Sequence, residues 1–291
     1  MKVHDILRQQ KTISVEFFPP RTDEAYSAFS RTLEIVKKYN INYASVTSSL
    51  QYPMDVTFHI TRQVQKNISA PGVCHLLCGK MTREDISFHL ERCRVMNIQN
   101  VLVLRGDQRN REERIVQREG NHAFCHAGDL VAFVQRKFPD CSIGVAGFPE
   151  GHPETPNRFK EMDYLKWKVD QGAHYIVTQL FFDNRDFFDF CERAVLAGIF
   201  VPIIAGVMVV RAKKMLQKIA ELAQGARIPA KLLSAVQLAR NDDEVKKIGI
   251  EWALKQLEGL KNTAAGIHWY VLNQPDIAES VLADSCQNST I

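Results

Sequence analysis

Eight runs of seven or eight residues, apolar and rich in β-branched or aromatic side chains, punctuate this chain from end to end: "TISVEFF", "YASVTSS", "GVCHLLC", "NVLVLRG", "SIGVAGF", "YIVTQLF", "PIIAGVMV" and "GIHWYVLN". Each has the length and composition of a strand. Helical periodicity fills the gaps. Tyr26, Phe29, Leu33 and Val36 lie on one helix face. Thr82 followed by Asp85 opens a second helix with a capping box, and Ile86, Leu90 and Cys93 form its stripe. Further helices are expected over 55–69, 127–137, 160–172, 184–199 and 211–223, and two more within 229–262, where "ARNDDE" interrupts the pattern. Near-continuous apolar strands alternating with helices predict a parallel sheet covered on both faces. Eight such units close into an α/β fold, the (β/α)8 TIM barrel, here a single domain over 1–291 with extra helices before strand 8. The alternative, an open doubly wound sheet, calls for an early G-x-G-x-x-G, and none occurs.

Composition narrows the function. The net charge is +4, but the basic residues are scattered, with no stripe that would track nucleic acid. No stretch is apolar enough to span a membrane, and the start "MKVHDILRQQ" lacks the apolar run of a signal peptide. Seven cysteines at irregular spacing read as free thiols, which points to the cytoplasm. Cys74 and Cys78 bracket His75, yet the second pair of a zinc site is missing, so no metal is expected.

In such barrels the site lies at the C-terminal ends of the strands. Polar residues gather there: Glu16 in strand 1, Thr47 and Ser48 after strand 2, His75 in strand 3, Arg105-Gly106-Asp107 after strand 4 and Phe148, Glu150 and His152 after strand 5. Gln179 follows strand 6, Tyr270 and Asn273 are placed late in strand 8, and strand 7 offers only a bend at Gly206. Each could be a satisfied core group, with Glu16 on a lysine or Asp107 on Arg105. From so many strands at one end they read better as a pocket. G-x-S-x-G, a phosphate loop and H-E-x-x-H are all absent. Two carboxylates, a histidine and a glutamine without a nucleophile suggest proton management around a bound cofactor.

The segments "VEFFPP", "HLLC", "VLRGD", "FPEGHPE", "KVDQGAHYIVTQLFFD" and "IHWYVLN", in this order over roughly 10–275, resemble the methylenetetrahydrofolate reductase family. The resemblance implies an FAD-binding barrel that takes hydride from NADH or NADPH and, in a ping-pong sequence, reduces 5,10-methylenetetrahydrofolate to 5-methyltetrahydrofolate. It implies that Glu16 is the catalytic acid, its carboxyl raised by an apolar strand so that it holds a proton. Asp107 would stabilise the cationic iminium and lie near both flavin and pterin. Gln179, Tyr270 and Gln274 would contact the folate. Thr47, Ser48, His75, Arg105, Gly106, Asp107, His126, Ala127, Phe148, His152, Glu154, Glu161 and Lys168 would contact FAD. Relatives are oligomers, so a homo-oligomer is expected.

Departures bear mainly on the folate side. The glycine-rich loop usual after strand 2 is "SSLQYPMD", Glu161 stands for an aspartate, His126 for a tyrosine, "AGVMVV" for a proline-bounded segment and Gln274 for an arginine. Two alternatives follow: a flavin barrel with another substrate or electron donor, and a scaffold subunit without activity. The chain ends just past the barrel, as in single-domain microbial members, and the tail "DSCQNSTI" is expected to fray.

Overall fold

The computed structural model describes residues 1–48, 53–79, 81–106, 124–152, 154–222 and 226–287. Eight parallel strands pair in chain order and close on themselves: β1 (Thr12–Phe17), β2 (Tyr43–Val46), β3 (Gly72–Leu77), β4 (Asn100–Leu104), β5 (Ser142–Gly147), β6 (Tyr175–Thr178), β7 (Ile203–Val207) and β8 (Gly266–Trp269). The register sets Glu16 beside Ser45 and Ser14 beside His268. Side chains alternate between faces. Val15, Phe17, Val46, Val207 and Trp269 point outward and pack against the helices, buried with Phe29, Leu33 and Val281. Each such side chain contributes ~1.5–3 kcal/mol. Inward positions carry Ser14, Glu16, Ser45, His75 and His268, all buried.

Helices fill the ring: α1 (Val3–Leu7), α2 (Asp23–Val36), α3 (Met54–Ile68), α4 (Arg83–Val95), α5 (Ala127–Lys137), α6 (Arg158–Asp170), α7 (Asn184–Leu196), α8 (Lys213–Leu222), α9 (Ala230–Leu238), α10 (Asp242–Leu260) and α11 (Pro275–Gln287). Thr82 and Asp85 form the expected capping box of α4. The break in 229–262 falls where Asn241 caps α10 by accepting from Glu244 N at 3.0 Å. The extra helices α8, α9 and α10 precede β8. Leu232 and Val236 of α9 pack on Leu180, Phe182 and Val210 in a separate cluster beyond the β6 and β7 ends.

One element was not expected from the sequence, and three expectations need correction. Helix α1 is a plug with no counterpart in the sequence reading. Its Val3 joins Tyr43, Val73, Leu102, Tyr175, Val177 and Ile204 as the barrel floor, and Val3 N donates to Asn100 Oδ1 at 2.8 Å. The segment 284–287 does not fray but ends α11, where Ser285 accepts from Trp269 Nε1 at 3.0 Å. Gly206 does not bend β7. It leaves room, since a Cβ there would stand 2.7 Å from the Tyr270 ring. Strand β8 stops at Trp269, and the chain then turns through Leu272 and Asn273 at φ 52 and 54.

Cys74, Cys78, Cys93 and Cys141 are buried in the helix–sheet layer. Burial pushes the thiols of Cys78 and Cys93 up to about 12. Cys74 and His75 alternate to opposite faces, which removes the sequence's one metal-like spacing. Cys125 alone among the seven cysteines is exposed. Among the described residues no helix is long and apolar enough to cross a membrane.

Candidate active site

Glu16 reaches the barrel interior from β1 because period-2 alternation turns Val15 and Phe17 outward. There it meets two histidines from distant strands. His75 Nε2 lies 3.3 Å and His268 Nε2 3.6 Å from Glu16 Oε2. Ser45 Oγ stands between, 3.4 Å from Glu16 Oε2 and 3.2 Å from His268 Nε2. On the far side of the ring, Ser14 Oγ is 2.8 Å from His268 Nδ1 and donates to Ile267 O at 3.2 Å. Tyr43 stacks on His268, and Tyr270 meets it edge-on.

This arrangement overturns the expected raised carboxyl. Burial does push Glu16 up, but the charge and hydrogen bonding of His75 and His268 together outweigh it and hold the group down at about 2. The carboxyl is therefore ionised at neutral pH. Its partners are not the lysine the sequence suggested. His268, Ser45 and Ser14 were missed. Stepping back two residues from Tyr270 within "GIHWY" leads to His268 on the same face, so the signal was present.

A cationic patch lies beside this pocket, at the ends of β4 and β5. Arg105 Nη2 pairs with Glu154 at 2.8 Å. The loop after β5 folds back so that His152 N donates to the buried Glu161 at 3.2 Å, and Phe148 packs edge-on against the His152 ring. Lys168 Nζ donates to Ala146 O at 2.6 Å. Burial lowers the Lys168 ammonium to about 8; Glu161 opposes that shift and Arg105 adds to it. His152 is lowered too, by burial and then by Arg105.

Gly106 takes φ 87, open to glycine without strain. Thr47 N donates to Phe17 O at 2.9 Å, and Ser48 Oγ contacts Met54 Sδ at 2.9 Å. His126 and Ala127 begin α5 on the outer rim, where His126 leans on Trp167 with its side chain 61% exposed. Asp107 lies outside the described residues, as does part of the altered loop after β2.

On the third side, Tyr270 donates to Thr178 O at 2.8 Å, and Gln179 folds its Oε1 onto Leu180 N at 2.9 Å. Tyr270 and Asn273 do not belong to the strand, because β8 has already ended, and strand alternation does not reach Gln274. Gln274 caps the start of α11, accepting from Ala278 N at 3.0 Å, and its Nε2 donates to Leu272 O at 3.3 Å. Asn273, buried, clamps the residue that follows β1. It accepts from Phe18 N at 3.0 Å and donates to Phe18 O at 2.8 Å.

The donor set suits an anionic cofactor with an aromatic end. Lys168 uses one of its three N–H donors on Ala146 O, and Arg105 keeps further guanidinium donors beyond Glu154. His75 Nδ1 is buried and has no hydrogen-bond partner among the described residues. A buried nitrogen of this kind calls for a ligand or water.

A sequence profile of methylenetetrahydrofolate reductase matches residues 2–285. The chain is 34% identical over 295 residues to methylenetetrahydrofolate reductase (NADH) 1 of Arabidopsis thaliana, covering 97% of this chain and 49% of that one. It is 28% identical over 282 residues to the 5,10-methylenetetrahydrofolate reductase of Pectobacterium carotovorum subsp. carotovorum, covering 94% and 90%. It thus spans about half the length of the plant relative and nine-tenths of the bacterial one. A solved structure from Clostridium thermocellum, titled as binding two copies of 5-methyl-5,6,7,8-tetrahydrofolic acid, superposes with a TM-score of 0.70 at 15% identity, covering 97% of this chain and 96% of that one, and supports the fold. The chain belongs to the methylenetetrahydrofolate reductase family.

Proposed function

We propose that this protein reduces 5,10-methylenetetrahydrofolate to 5-methyltetrahydrofolate with electrons from NADH or NADPH, through bound FAD and in two alternating half-reactions. The observation that carries the reading is the buried Glu16 carboxylate between His75 and His268, at the end of a barrel whose chain matches the reductase family from 2 to 285. Bound FAD would supply the hydride relay between the two substrates. Arg105, His152 and Lys168 would hold its anionic linkage, Phe148 would line an aromatic wall, and His75 would offer its free Nδ1.

Glu16 has the protein's own part in the chemistry. The methylene bridge opens only if the departing nitrogen receives a proton. Glu16 stands at the inner end of the mouth, where it can pass one outward. Asp107, as a carboxylate, would stabilise the iminium cation that results. Gln179 offers an amide that both donates and accepts, suited to a pterin edge. Tyr270 walls the same side, held by Thr178.

The test is direct. Purified protein should show flavin absorption that bleaches under NADH or NADPH and returns on adding methylenetetrahydrofolate, with 5-methyltetrahydrofolate formed in equal amount. A colourless protein that stays inactive after incubation with FAD would refute the proposal. Flavin that bleaches but is not reoxidised by the folate would favour a different acceptor.

A further inference from the structure

The pocket poses a problem that the reductase reading leaves open. A carboxylate held in its ionised form by two histidines has no proton of its own to give. The proton has to reside elsewhere, within reach. Two histidines are candidates, and their surroundings differ. His75 Nδ1 has no partner among the described residues, and its Nε2 faces Glu16 at 3.3 Å. His268 is engaged on both nitrogens. With its single hydroxyl proton on Ile267 O, 3.2 Å away, Ser14 accepts from His268 Nδ1 at 2.8 Å. In that arrangement Nδ1 carries a proton. The other nitrogen, Nε2, faces Ser45 Oγ at 3.2 Å and Glu16 Oε2 at 3.6 Å. Ser45 Oγ in turn is 3.4 Å from the same carboxylate oxygen. A hydroxyl that touches both a ring nitrogen and a carboxylate can take a proton from one and give its own to the other.

We propose that His268 stores the proton of this active site and that Ser45 passes it to Glu16, with Ser14 holding the ring in the tautomer that allows this. The proposal rests on the reductase reading for its substrate. At rest, His268 carries protons on both nitrogens and Glu16 is a carboxylate. On delivery the Nε2 proton moves to Ser45 Oγ while the Ser45 hydroxyl proton moves to Glu16. The Glu16 carboxyl then protonates the departing nitrogen of the substrate as its bond to the methylene carbon breaks, the bonding pair staying on nitrogen. His268 ends neutral, still donating from Nδ1 to Ser14, and Glu16 is again a carboxylate. No electron is gained or lost in the relay. Water restores the Nε2 proton once the product has left.

Every group facing the ring fits this division. Tyr43 stacks on it and Tyr270 meets its edge, and burial raises both phenols, so neither ionises near neutral pH. Gly206, paired with His268 from β7, brings no side chain. Among the described residues, Glu16 and His75 are the other titratable groups that meet in this cluster. His268 acts through Glu16 and is therefore a positioning and relay residue.

Two measurements test the assignment. The first uses ligand-free protein labelled with 15N-histidine, the His268 signal being identified by its loss in His268→Gln. Shifts of a doubly protonated ring at neutral pH support the proposal. A neutral His268 beside a doubly protonated His75 overturns it. The second uses FAD-loaded protein in rapid mixing, following the two half-reactions separately. His268→Gln should slow the folate half-reaction at least 100-fold and make its rate climb about tenfold per unit as pH falls, because the proton now comes from solvent. Ser45→Ala should slow it about tenfold with the same change of pH profile. The nicotinamide half-reaction serves as the control for folding and FAD binding. Unchanged pH profiles in a wild type that does make 5-methyltetrahydrofolate overturn the relay. A wild type that makes none refutes the reductase reading instead, and the 15N measurement still decides where the proton resides.

Discussion

Asn273 offers the sharpest test of how the fold serves the site. Its side chain accepts from Phe18 N at 3.0 Å and donates to Phe18 O at 2.8 Å, while its own backbone sits at φ 54. Asn273→Ala removes both hydrogen bonds and asks a residue with a methyl side chain to hold the left-handed conformation. Each backbone group of Phe18 left without a partner costs ~1 kcal/mol, the low end for such groups because they are only partly buried. The left-handed conformation adds ~1 kcal/mol. The sum is ~3 kcal/mol. Urea unfolding followed by far-ultraviolet circular dichroism reads it: with a slope of ~3 kcal/mol/M the midpoint falls by ~1 M. Asn273→Gly separates the two contributions, since glycine accepts the conformation freely and should recover ~1 kcal/mol of the loss. Equal losses for Ala and Gly, or losses below ~1 kcal/mol in both, would refute the reasoning. Phe18 lies two residues from Glu16, so Asn273→Ala should also loosen the carboxylate and slow folate turnover more than flavin reduction.

Other consequences follow from the site and the floor. Glu16→Gln should keep the fold and FAD but lose folate reduction by several orders of magnitude, because an amide cannot pass on a proton; activity within tenfold of wild type in a coupled assay would contradict this. Lys168→Ala should weaken FAD retention by ~1–3 kcal/mol, measured as flavin released on dilution, and unchanged retention would place the anionic linkage elsewhere. At the floor, His174 accepts from Ile143 N at 3.0 Å and stacks on His4. Burial, then His4 and Arg8, lowers His174 to about 4. A histidine depressed on folding contributes stability that is complete above its unfolded value near 6.5 and is lost as pH falls from there toward 4. The half-exposed ring is screened, which leaves ~1–2 kcal/mol. Denaturation midpoints of His174→Gln should be flatter than wild type between pH 6.5 and 4, and parallel curves would exclude the effect.

Local signals carried the architecture well. The helix expected over 127–137 occupies those residues, and the asparagine that splits α9 from α10 was visible in "ARNDDE". These are matters of spacing and capping within a few residues. Strand ends fared worse, since a strand stops where its neighbours stop, and β8 ends at Trp269 although "YVLN" continues the apolar pattern. Glu16 shows the deeper limit. The sequence marked it as an acid in an apolar strand, and that much holds. The sign of its shift depends on His75 and His268, which only closure of the barrel brings to one oxygen. The direction of the Gln274 side chain is out of reach of strand alternation for a related reason: the segment before it turns through two left-handed residues.

The burial of the thiols has a practical consequence. Alkylation and oxidation proceed through the thiolate, and a thiol raised to about 12 is deprotonated only to ~10⁻⁵ at neutral pH. Cys78, Cys93 and Cys191 are in that range, burial raises Cys74, Cys141 and Cys286 as well, and only Cys125 is exposed. Toward a maleimide, a chain with seven cysteines should therefore behave as a chain with one. That one directly precedes His126 at the start of α5, on the rim beside Trp167. A fluorophore placed there needs no engineered cysteine and no removal of native ones.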